Sequence, residues 1–233
     1  IIGLGYVGLP LLIEFSKKRK ILGYDKDLNR INELKKGFDR TKEIENKKLL
    51  LSRNIKYTNK KNDLHNTNCY IICVPTPIFK NNKPDLKKII SATKLFALNL
   101  NVNSIVIYES TVYPGLTEEI CIPILEKFSK LKYGKDFYCG YSPERVNPGD
   151  KTKKINKIKK LVSGTNKKVT DIVAKLYEEI NPKNIVKVES IKIAEAAKLI
   201  ENCQRDLNIA FMNELSIIFS KKNIDTNKVL KAA

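Results

Sequence analysis

The sequence contains no tryptophan, one methionine and one histidine among its 233 residues. A single histidine, His65, offers little for a histidine-based metal site, and we expect it at the surface. The five cysteines are an odd number, and none stands in a C-x-x-C pair. This spacing indicates neither a zinc site nor a redox dithiol, so no metal is expected and the cysteines are predicted to be buried, reduced thiols.

Long apolar runs are also missing. No stretch approaches the ~20 consecutive apolar residues that a membrane-spanning helix needs, and no signal-peptide pattern occurs. We therefore expect a cytoplasmic protein with no membrane partner. The first residue is isoleucine and the chain stops at VLKAA, which predicts an internal fragment that has lost most of its first strand.

Arginine is scarce in a strongly basic chain. The formal net charge is +19, but only six of the 44 basic residues are arginine. Nucleic-acid-binding surfaces favour arginine and aromatic side chains, whereas the lysines here are scattered along the chain. This pattern favours a solvated lysine surface and no nucleic-acid partner, with a basic nucleic-acid binder as the least favoured alternative.

Short apolar runs alternate with longer amphipathic stretches. This alternation predicts an α/β fold, a Rossmann-like doubly wound parallel sheet followed by a long central helix. The predicted strands are 1–4, 21–24, 70–74, 104–109, 137–140, 160–163 and 185–188, and the predicted helices are about 9–18, 27–36, 85–99, 116–129, 167–180 and 190–222. We predict one domain over 1–188, and a connecting helix with the start of a second domain over 189–233.

A glycine-rich turn lies in the opening segment IIGLGYVGLP, between an apolar strand and a helix. In a G-x-G-x-x-G turn, Gly3 allows the tight turn, Gly5 lets the backbone approach a pyrophosphate, and Gly8 lets the helix pack closely. Amide groups near Tyr6 and Val7 then face the anion. A purely structural glycine turn is the alternative.

Asp25 follows the predicted strand 21–24, 22 residues after the first glycine. A carboxylate there binds the ribose hydroxyls and repels a 2′-phosphate, which predicts NAD rather than NADP as cofactor. Arg30, one turn into the next helix, either flanks the adenosine or is a simple surface arginine. Thr76 in VPTP and Thr111 in YESTVYPG end two strands at one predicted sheet edge, where a ligand binds; ordinary turn chemistry is the alternative.

Glu144 and Arg145 lie in the polar segment YSPERVNPGD. Glu144 is a candidate general acid or base, or one half of a surface ion pair. On the last helix, Lys198, Asn202 and Arg205 share one face at spacings i, i+4 and i+7.

A lysine, an amide and an arginine on one helix face can hold an oxyanion and nucleotide phosphates, although a solvated face is the alternative. We expect the neighbouring stripe through Ile200 and Leu207 to be the buried one.

Five motifs occur in order along the chain: GLGYVGLP, VPTP, ESTVYPG, SPERVNPGD and AEAAKLIENCQRDLNIAFMNEL. Together they resemble the UDP-glucose/GDP-mannose dehydrogenase family, and the last two are most similar to UDP-N-acetylhexosamine (UDP-GlcNAc/UDP-GalNAc) 6-dehydrogenases of the Vi-polysaccharide type. Members oxidise the C6 alcohol of a nucleotide sugar to a carboxylate with two NAD⁺, and are usually dimers through the central helix. The resemblance therefore implies an NAD-dependent enzyme with a UDP-sugar substrate, working as a homodimer in capsule or O-antigen synthesis.

The resemblance also implies roles for individual residues. NAD-contacting positions are matched by Tyr6, Val7, Asp25, Thr76 and Thr111. Positions that assist proton transfer and stabilise oxyanions are matched by Glu144, Lys198 and Asn202. Substrate-contacting positions are matched by Arg145, Val146 and Arg205.

One departure concerns the nucleophile. The family's cysteine lies in a G-x-C motif beyond the central helix, and this chain contains no such motif. We attribute its absence, with that of the UDP-binding part, to truncation, and expect NAD binding without complete turnover. A non-catalytic NAD-binding and dimerisation module, or a dehydrogenase acting on UDP-glucose or UDP-ManNAc, are the alternatives.

Overall fold

The structure is a computed structural model of the chain and describes residues 1–145 and 158–233. The chain forms two compact units, Ile1–Glu195 and Ala196–Ala233. The strands are β1 (Ile21–Tyr24), β2 (Ile55–Thr58), β3 (Cys69–Ile72), β4 (Ser104–Tyr108), β5 (Phe137–Tyr141), β6 (Lys160–Gly164) and β7 (Ile185–Lys187). The helices are α1 (Gly8–Ser16), α2 (Leu28–Lys35), α3 (Asn46–Leu51), α4 (Lys87–Ala97), α5 (Ile122–Ser129), α6 (Lys167–Glu178), α7 (Ile191–Lys221) and α8 (Thr226–Ala232), with a 3₁₀ turn at Lys61–Leu64 and a π turn at Thr117–Cys121.

The first unit is built on a sheet in two hydrogen-bonded parts. Strands β1 and β2 pair in parallel, and β3, β4, β5, β6 and β7 follow one another in the second part. Ile2 forms parallel bridges to both Tyr24 and Ile72, so the segment 1–4 lies between β1 and β3 and joins the two parts. The predicted strand 1–4 is therefore reduced to single-residue bridges in the described chain.

One pairing departs from the predicted parallel sheet. Strands β5 and β6 are antiparallel, with Gly140 opposite Gly164 and Tyr141 opposite Ser163. The start of β6 therefore lies at the edge of the sheet where β5 ends. The other pairings are parallel, so the carboxyl ends of β1, β3 and β4 lie at one edge of the sheet.

Both faces of this sheet are buried, which explains the continuous apolar runs of its strands. Along β3, Tyr70 and Ile72 point to one face and pack with side chains of α4 and α5. The intervening Ile71, with Cys73 just beyond the strand, points to the other face and packs with α1, α2 and α6. Helices therefore cover both faces, as the doubly wound prediction requires.

Three elements were not predicted: α3, β2 and α8. The first two lie in a stretch that is rich in lysine and asparagine and lacks a long apolar run. Strand β2 is half polar in sequence because it is the edge partner of β1. Edge strands need less apolar sequence than central ones, so the pattern is weak there.

The second unit contains most of α7 and the whole of α8. Asp225 caps α8 by accepting hydrogen bonds from the amides of Asn227 and Lys228, at 2.8 and 3.2 Å. The predicted buried stripe on α7 is wrong for this chain, since Ile200 is 66% exposed and Leu207 is 69% exposed. The helical periodicity is correct, but these apolar side chains face outward.

Candidate functional site

The glycine turn has a different constraint at each glycine. Gly3 has φ of +89°, and a Cβ there would stand 2.9 Å from the carbonyl oxygen of Cys73. A Cβ on Gly8 would stand 1.9 Å from the carbonyl oxygen of Gly3. A Cβ on Gly5 would meet no described atom within 4 Å. Gly3 and Gly8 therefore pack directly against protein backbone, whereas the backbone of Gly5 has open space in front of it.

Helix α1 begins directly after this turn. Among the described residues no side chain caps its N-terminus, whereas Asp27 caps α2 and Asn166 caps α6. The first amides of a helix carry partial positive charge and need acceptors. Tyr6 is exposed and Val7 is half-buried at this position. An open glycine backbone beside an uncapped helix start fits a pyrophosphate.

Asp25 lies at the end of β1, beside the turn. Its Oδ2 accepts a hydrogen bond from the Leu4 amide at 2.9 Å, and its Oδ1 accepts one from the Asp27 amide at 3.0 Å. Each carboxylate oxygen can accept a further bond. The side chain is thus held in place and half-buried, with acceptor capacity left for ribose hydroxyls.

Arg30 is not the surface arginine that one interpretation predicted, since it is only 4% exposed. Its Nε donates to the carbonyl oxygen of Leu4 at 2.8 Å, and its Nη2 donates to Asp39 at 2.8 Å. Burial opposes ionisation of Asp39, but bonds from Thr41, Ile44 and Arg30 lower the pKa of its carboxyl. Arg30 therefore supports the glycine turn from beneath, while its contact with adenosine stays a prediction.

Thr76 and Thr111 come together, as their positions at strand ends predicted. The Thr76 hydroxyl donates to the carbonyl oxygen of Thr111 at 2.5 Å. Ser110 reinforces the contact by donating to the carbonyl oxygen of Val74 at 2.6 Å. The loops after β3 and β4 are thus joined at the edge where a doubly wound sheet binds its ligand.

Glu144 lies just beyond β5, at the same edge. It is half-buried, and its Oε1 accepts a hydrogen bond from the amide of Arg145 at 2.7 Å. Arg145 is also half-buried. Val146, the other predicted substrate contact in this segment, lies outside the described residues.

A buried charged cluster beside Glu144 was not predicted. Lys160 Nζ lies 2.7 Å from Glu109 Oε2, and the hydroxyl of Tyr177 donates to the other oxygen of Glu109. Burial raises the pKa of Glu109 to about 7, although Lys160 and Tyr177 stabilise its ionised form. Burial alone would lower the pKa of Lys160, but the charges of Glu109 and Glu144 raise it. The signal that could have revealed this pair in the sequence is that Glu109 directly follows the apolar run of β4 and Lys160 begins the apolar run of β6.

A second buried carboxylate, Glu195, was also missed. It accepts hydrogen bonds from the amides of Gly115 and Thr117, at 2.6 and 3.1 Å, and from the Thr117 hydroxyl at 2.6 Å. Burial raises the pKa of Glu195. This carboxylate ties the start of α7 to the loop that follows Thr111.

Lys198, Asn202 and Arg205 belong to the second unit, on α7. Their spacing places them on one helix face, as predicted. Arg205 forms a 2.8 Å ion pair with Glu201, one turn earlier. Their predicted roles toward a ligand stay predictions.

The cysteines and the histidine differ in their exposure to solvent. All five cysteines are free, and Cys73, Cys121 and Cys139 are buried as predicted. Cys69 and Cys203 are exposed, so the prediction of buried thiols is wrong for these two. His65 is exposed, as predicted. Among residues 1–145 and 158–233, no helix is both long and apolar enough to cross a bilayer.

The sheet order, the glycine turn and the carboxylate after β1 define a Rossmann-type dinucleotide-binding domain. The chain belongs to the UDP-glucose/GDP-mannose dehydrogenase family: residues 1–181 match its NAD binding domain and residues 192–233 match its central domain. The family resemblance and the NAD cofactor expected from the sequence are thereby confirmed.

Similar proteins support this assignment. The chain is 53% identical over 233 residues to Protein CapL of Staphylococcus aureus and 51% identical to a UDP-N-acetyl-D-glucosamine 6-dehydrogenase of Pseudomonas aeruginosa. Both matches cover 100% of this chain and 55% of the relative, so the chain spans about half the length of these relatives. The solved UDP-D-ManNAc dehydrogenase of Pyrococcus horikoshii superposes with a TM-score of 0.91 at 32% identity, covering 100% of this chain and 56% of that one.

Proposed function

We propose that the complete protein oxidises the C6 hydroxyl of a UDP-N-acetylhexosamine to the uronic acid, for surface polysaccharide synthesis. The observation that carries this proposal is the 51% identity, over all 233 residues, to a relative named as a UDP-N-acetyl-D-glucosamine 6-dehydrogenase. The reaction is a four-electron oxidation of an alcohol to an acid. NAD⁺ is the hydride acceptor, so one sugar consumes two NAD⁺ and one water, which supplies the second carboxyl oxygen, and yields two NADH and two protons.

The proposed cofactor site lies on the first unit. Amides near Tyr6 and Val7 bind the pyrophosphate above Gly5, because the helix start is uncapped and the glycine leaves space. Asp25 accepts from the ribose hydroxyls. The remaining proposed NAD contacts are Arg30 toward the adenosine and Thr76 and Thr111 at the neighbouring strand ends.

Glu144 is the proposed group for proton transfer. It lies in the loop after β5 and is half-buried, which suits a carboxyl that must exchange a proton beside a ligand. Arg145 and Val146 are the proposed substrate contacts next to it. On α7, the ammonium of Lys198 and the amide of Asn202 are the proposed oxyanion donors, and Arg205 is a proposed substrate contact.

The organisation of the protein is part of the same proposal. We assign residues 1–188 to the NAD-binding domain and residues 189–233 to the connecting helix and the start of a second domain. A homodimer through α7 is supported by the exposed apolar side chains on that helix, such as Ile200 and Leu207. The cytoplasm is the proposed location, because NAD⁺ and nucleotide sugars are available there.

Turnover by the complete gene product tests the activity. NADH absorbance would be followed with UDP-GlcNAc, UDP-GalNAc, UDP-ManNAc and UDP-glucose in separate reactions. We expect two NADH for each UDP-GlcNAc or UDP-GalNAc consumed. NAD⁺ binding without turnover of any sugar would favour the non-catalytic module, and preferred turnover of UDP-glucose or UDP-ManNAc would favour those substrates.

A substitution on α7 tests the oxyanion role. Lys198→Ala should reduce kcat far more than NAD⁺ affinity, since a donor to an oxyanion acts mainly in the transition state. Lys192→Ala is a matched control on the same helix, because Lys192 is exposed and pairs with Glu119. Equal losses of turnover and affinity in the Lys198 variant would remove it from the proposed mechanism.

A further inference from the structure

Lys160 contacts both loops that carry the proposed chemistry. Its Nζ lies 2.7 Å from Glu109 Oε2, two residues before Thr111 in the loop after β4. The same Nζ donates to the carbonyl oxygen of Pro143 at 3.4 Å, one residue before Glu144 in the loop after β5. One ammonium group therefore connects the backbone of one loop to a side chain at the base of the other.

This ammonium has little freedom to move. Lys160 is 6% exposed and Glu109 is 1% exposed. The second oxygen of Glu109 is held by the Tyr177 hydroxyl, and the Tyr177 ring lies beneath Lys160, with Nζ 5.1 Å from the ring centroid. A buried ion pair keeps such geometry because breaking it leaves an uncompensated charge.

The loop after β5 depends on this contact for part of its anchoring. Ser142 is fixed, since its amide donates to the carbonyl oxygen of Tyr108 at 2.9 Å and its hydroxyl donates to that of Leu161 at 2.8 Å. Pro143 has no amide hydrogen, so its carbonyl is its one backbone hydrogen-bonding group. Lys160 is the donor that the described structure gives to this carbonyl.

We propose that Lys160 is a positioning residue that fixes the Pro143 carbonyl against Glu109, and so sets the separation of Glu144 from Thr111. The inference rests on the proposed function for what that separation achieves. Glu144 must lie within proton-transfer reach of the sugar while Thr111 fixes the cofactor edge. A displacement of about 1 Å at such a distance can reduce turnover roughly 100-fold.

The test uses the complete gene product and variants that separate positioning from folding. Lys160→Met/Glu109→Leu removes both buried charges together, so no lone charge remains in the core. Lys160→Arg keeps a cation and donors near Pro143. Tyr177→Phe is the matched control, because it weakens the same cluster without removing the contact to the loop after β5.

Two readouts are measured together. For the double variant we expect kcat to fall about 100-fold with NAD⁺ affinity changed by less than about threefold, while Lys160→Arg recovers most of kcat and Tyr177→Phe keeps it. Hydrogen exchange in the peptide containing residues 142–145 should be faster in the double variant than in Tyr177→Phe. The Tm of each variant is measured as well, so that a local change in exchange can be distinguished from a general loss of stability.

Unchanged exchange at residues 142–145 in the double variant would overturn the positioning role, whatever the activity. An equal loss of kcat in Lys160→Arg and in Tyr177→Phe would also overturn it, since that pattern indicates a general loss of packing. Failure of the wild-type protein to oxidise any of the sugars would instead refute the proposed function, and the exchange result would still decide the positioning role of Lys160.

Discussion

Gly5→Ala should weaken NAD⁺ binding without disturbing the fold. An added Cβ at this position meets no described atom within 4 Å, and the φ of Gly5 is not in the left-handed region. Alanine is therefore accommodated, with a stability change of about 1 kcal/mol or less. The methyl group instead occupies the space through which a pyrophosphate would approach the backbone.

The expected loss of affinity follows from the bonds that this methyl group would displace. One charge-assisted hydrogen bond is worth about 1.5–3 kcal/mol, so the loss of one such bond should raise Kd roughly 10- to 150-fold. Calorimetric titration with NAD⁺ measures the Kd, and a thermal melt of the same sample measures the fold. We expect an unchanged melt and a much weaker titration.

Gly8→Ala is the matched control for this experiment. A Cβ there would lie 1.9 Å from the Gly3 carbonyl oxygen and 3.1 Å from the Cys73 Cβ, so helix α1 must shift. Overpacking of this kind costs about 1–3 kcal/mol, and we expect a clearly lower Tm. If Gly5→Ala bound NAD⁺ within twofold of the wild type, the pyrophosphate would not lie over Gly5 and the assignment of the turn would be refuted.

Three further predictions address the other described features. Asp25→Ala should weaken NAD⁺ binding about tenfold by loss of the ribose acceptor, whereas Asp27→Ala should lose the α2 cap but keep affinity; equal Kd values by calorimetry would contradict the ribose role. Glu109 holds its proton more tightly in the folded protein than in the unfolded chain, so its contribution to stability is largest when it is protonated. The free energy of unfolding, relative to that of Glu109→Gln, should therefore be highest below about pH 4.5 and fall by about 3 kcal/mol as the pH rises through 7. Urea midpoints that change in parallel for the two proteins from pH 4 to 8 would contradict this. Leu207→Glu should convert the proposed dimer to a monomer in sedimentation, and Leu98→Glu, equally apolar and exposed in the first unit, should not; a dimer in both would place the interface elsewhere.

Much of the fold could be predicted because its strands are buried on both faces. Runs such as YIICV and SIVIY are apolar without alternation, which is typical of a central parallel strand. The direction of β6 could not be predicted in this way. An apolar run is equally consistent with either direction, so the antiparallel pairing of β5 and β6 has no signature in composition.

The candidate site divides along similar lines. The glycine turn and Asp25 could be predicted because their spacing is local and each residue type has a specific geometric task. The pairing of Glu109 with Lys160 could not, because 51 residues separate them and the choice of partner is made by the sheet. Arg30 illustrates the same difficulty: its helix position was predicted, but its burial depends on Asp39 in the following loop.

The antiparallel pairing of β5 and β6 has a consequence for the register of β6. Gly140 lies opposite Gly164 and Tyr141 lies opposite Ser163, and in this register Lys160 reaches Glu109. Because side chains alternate along a strand, a slip of β6 by one residue would turn Lys160 to the opposite face of the sheet and bring Leu161 to the face of Glu109. Such a slip would leave a buried charge without its partner, at a cost of about 3–5 kcal/mol. The ion pair therefore selects one register of β6 over its neighbours.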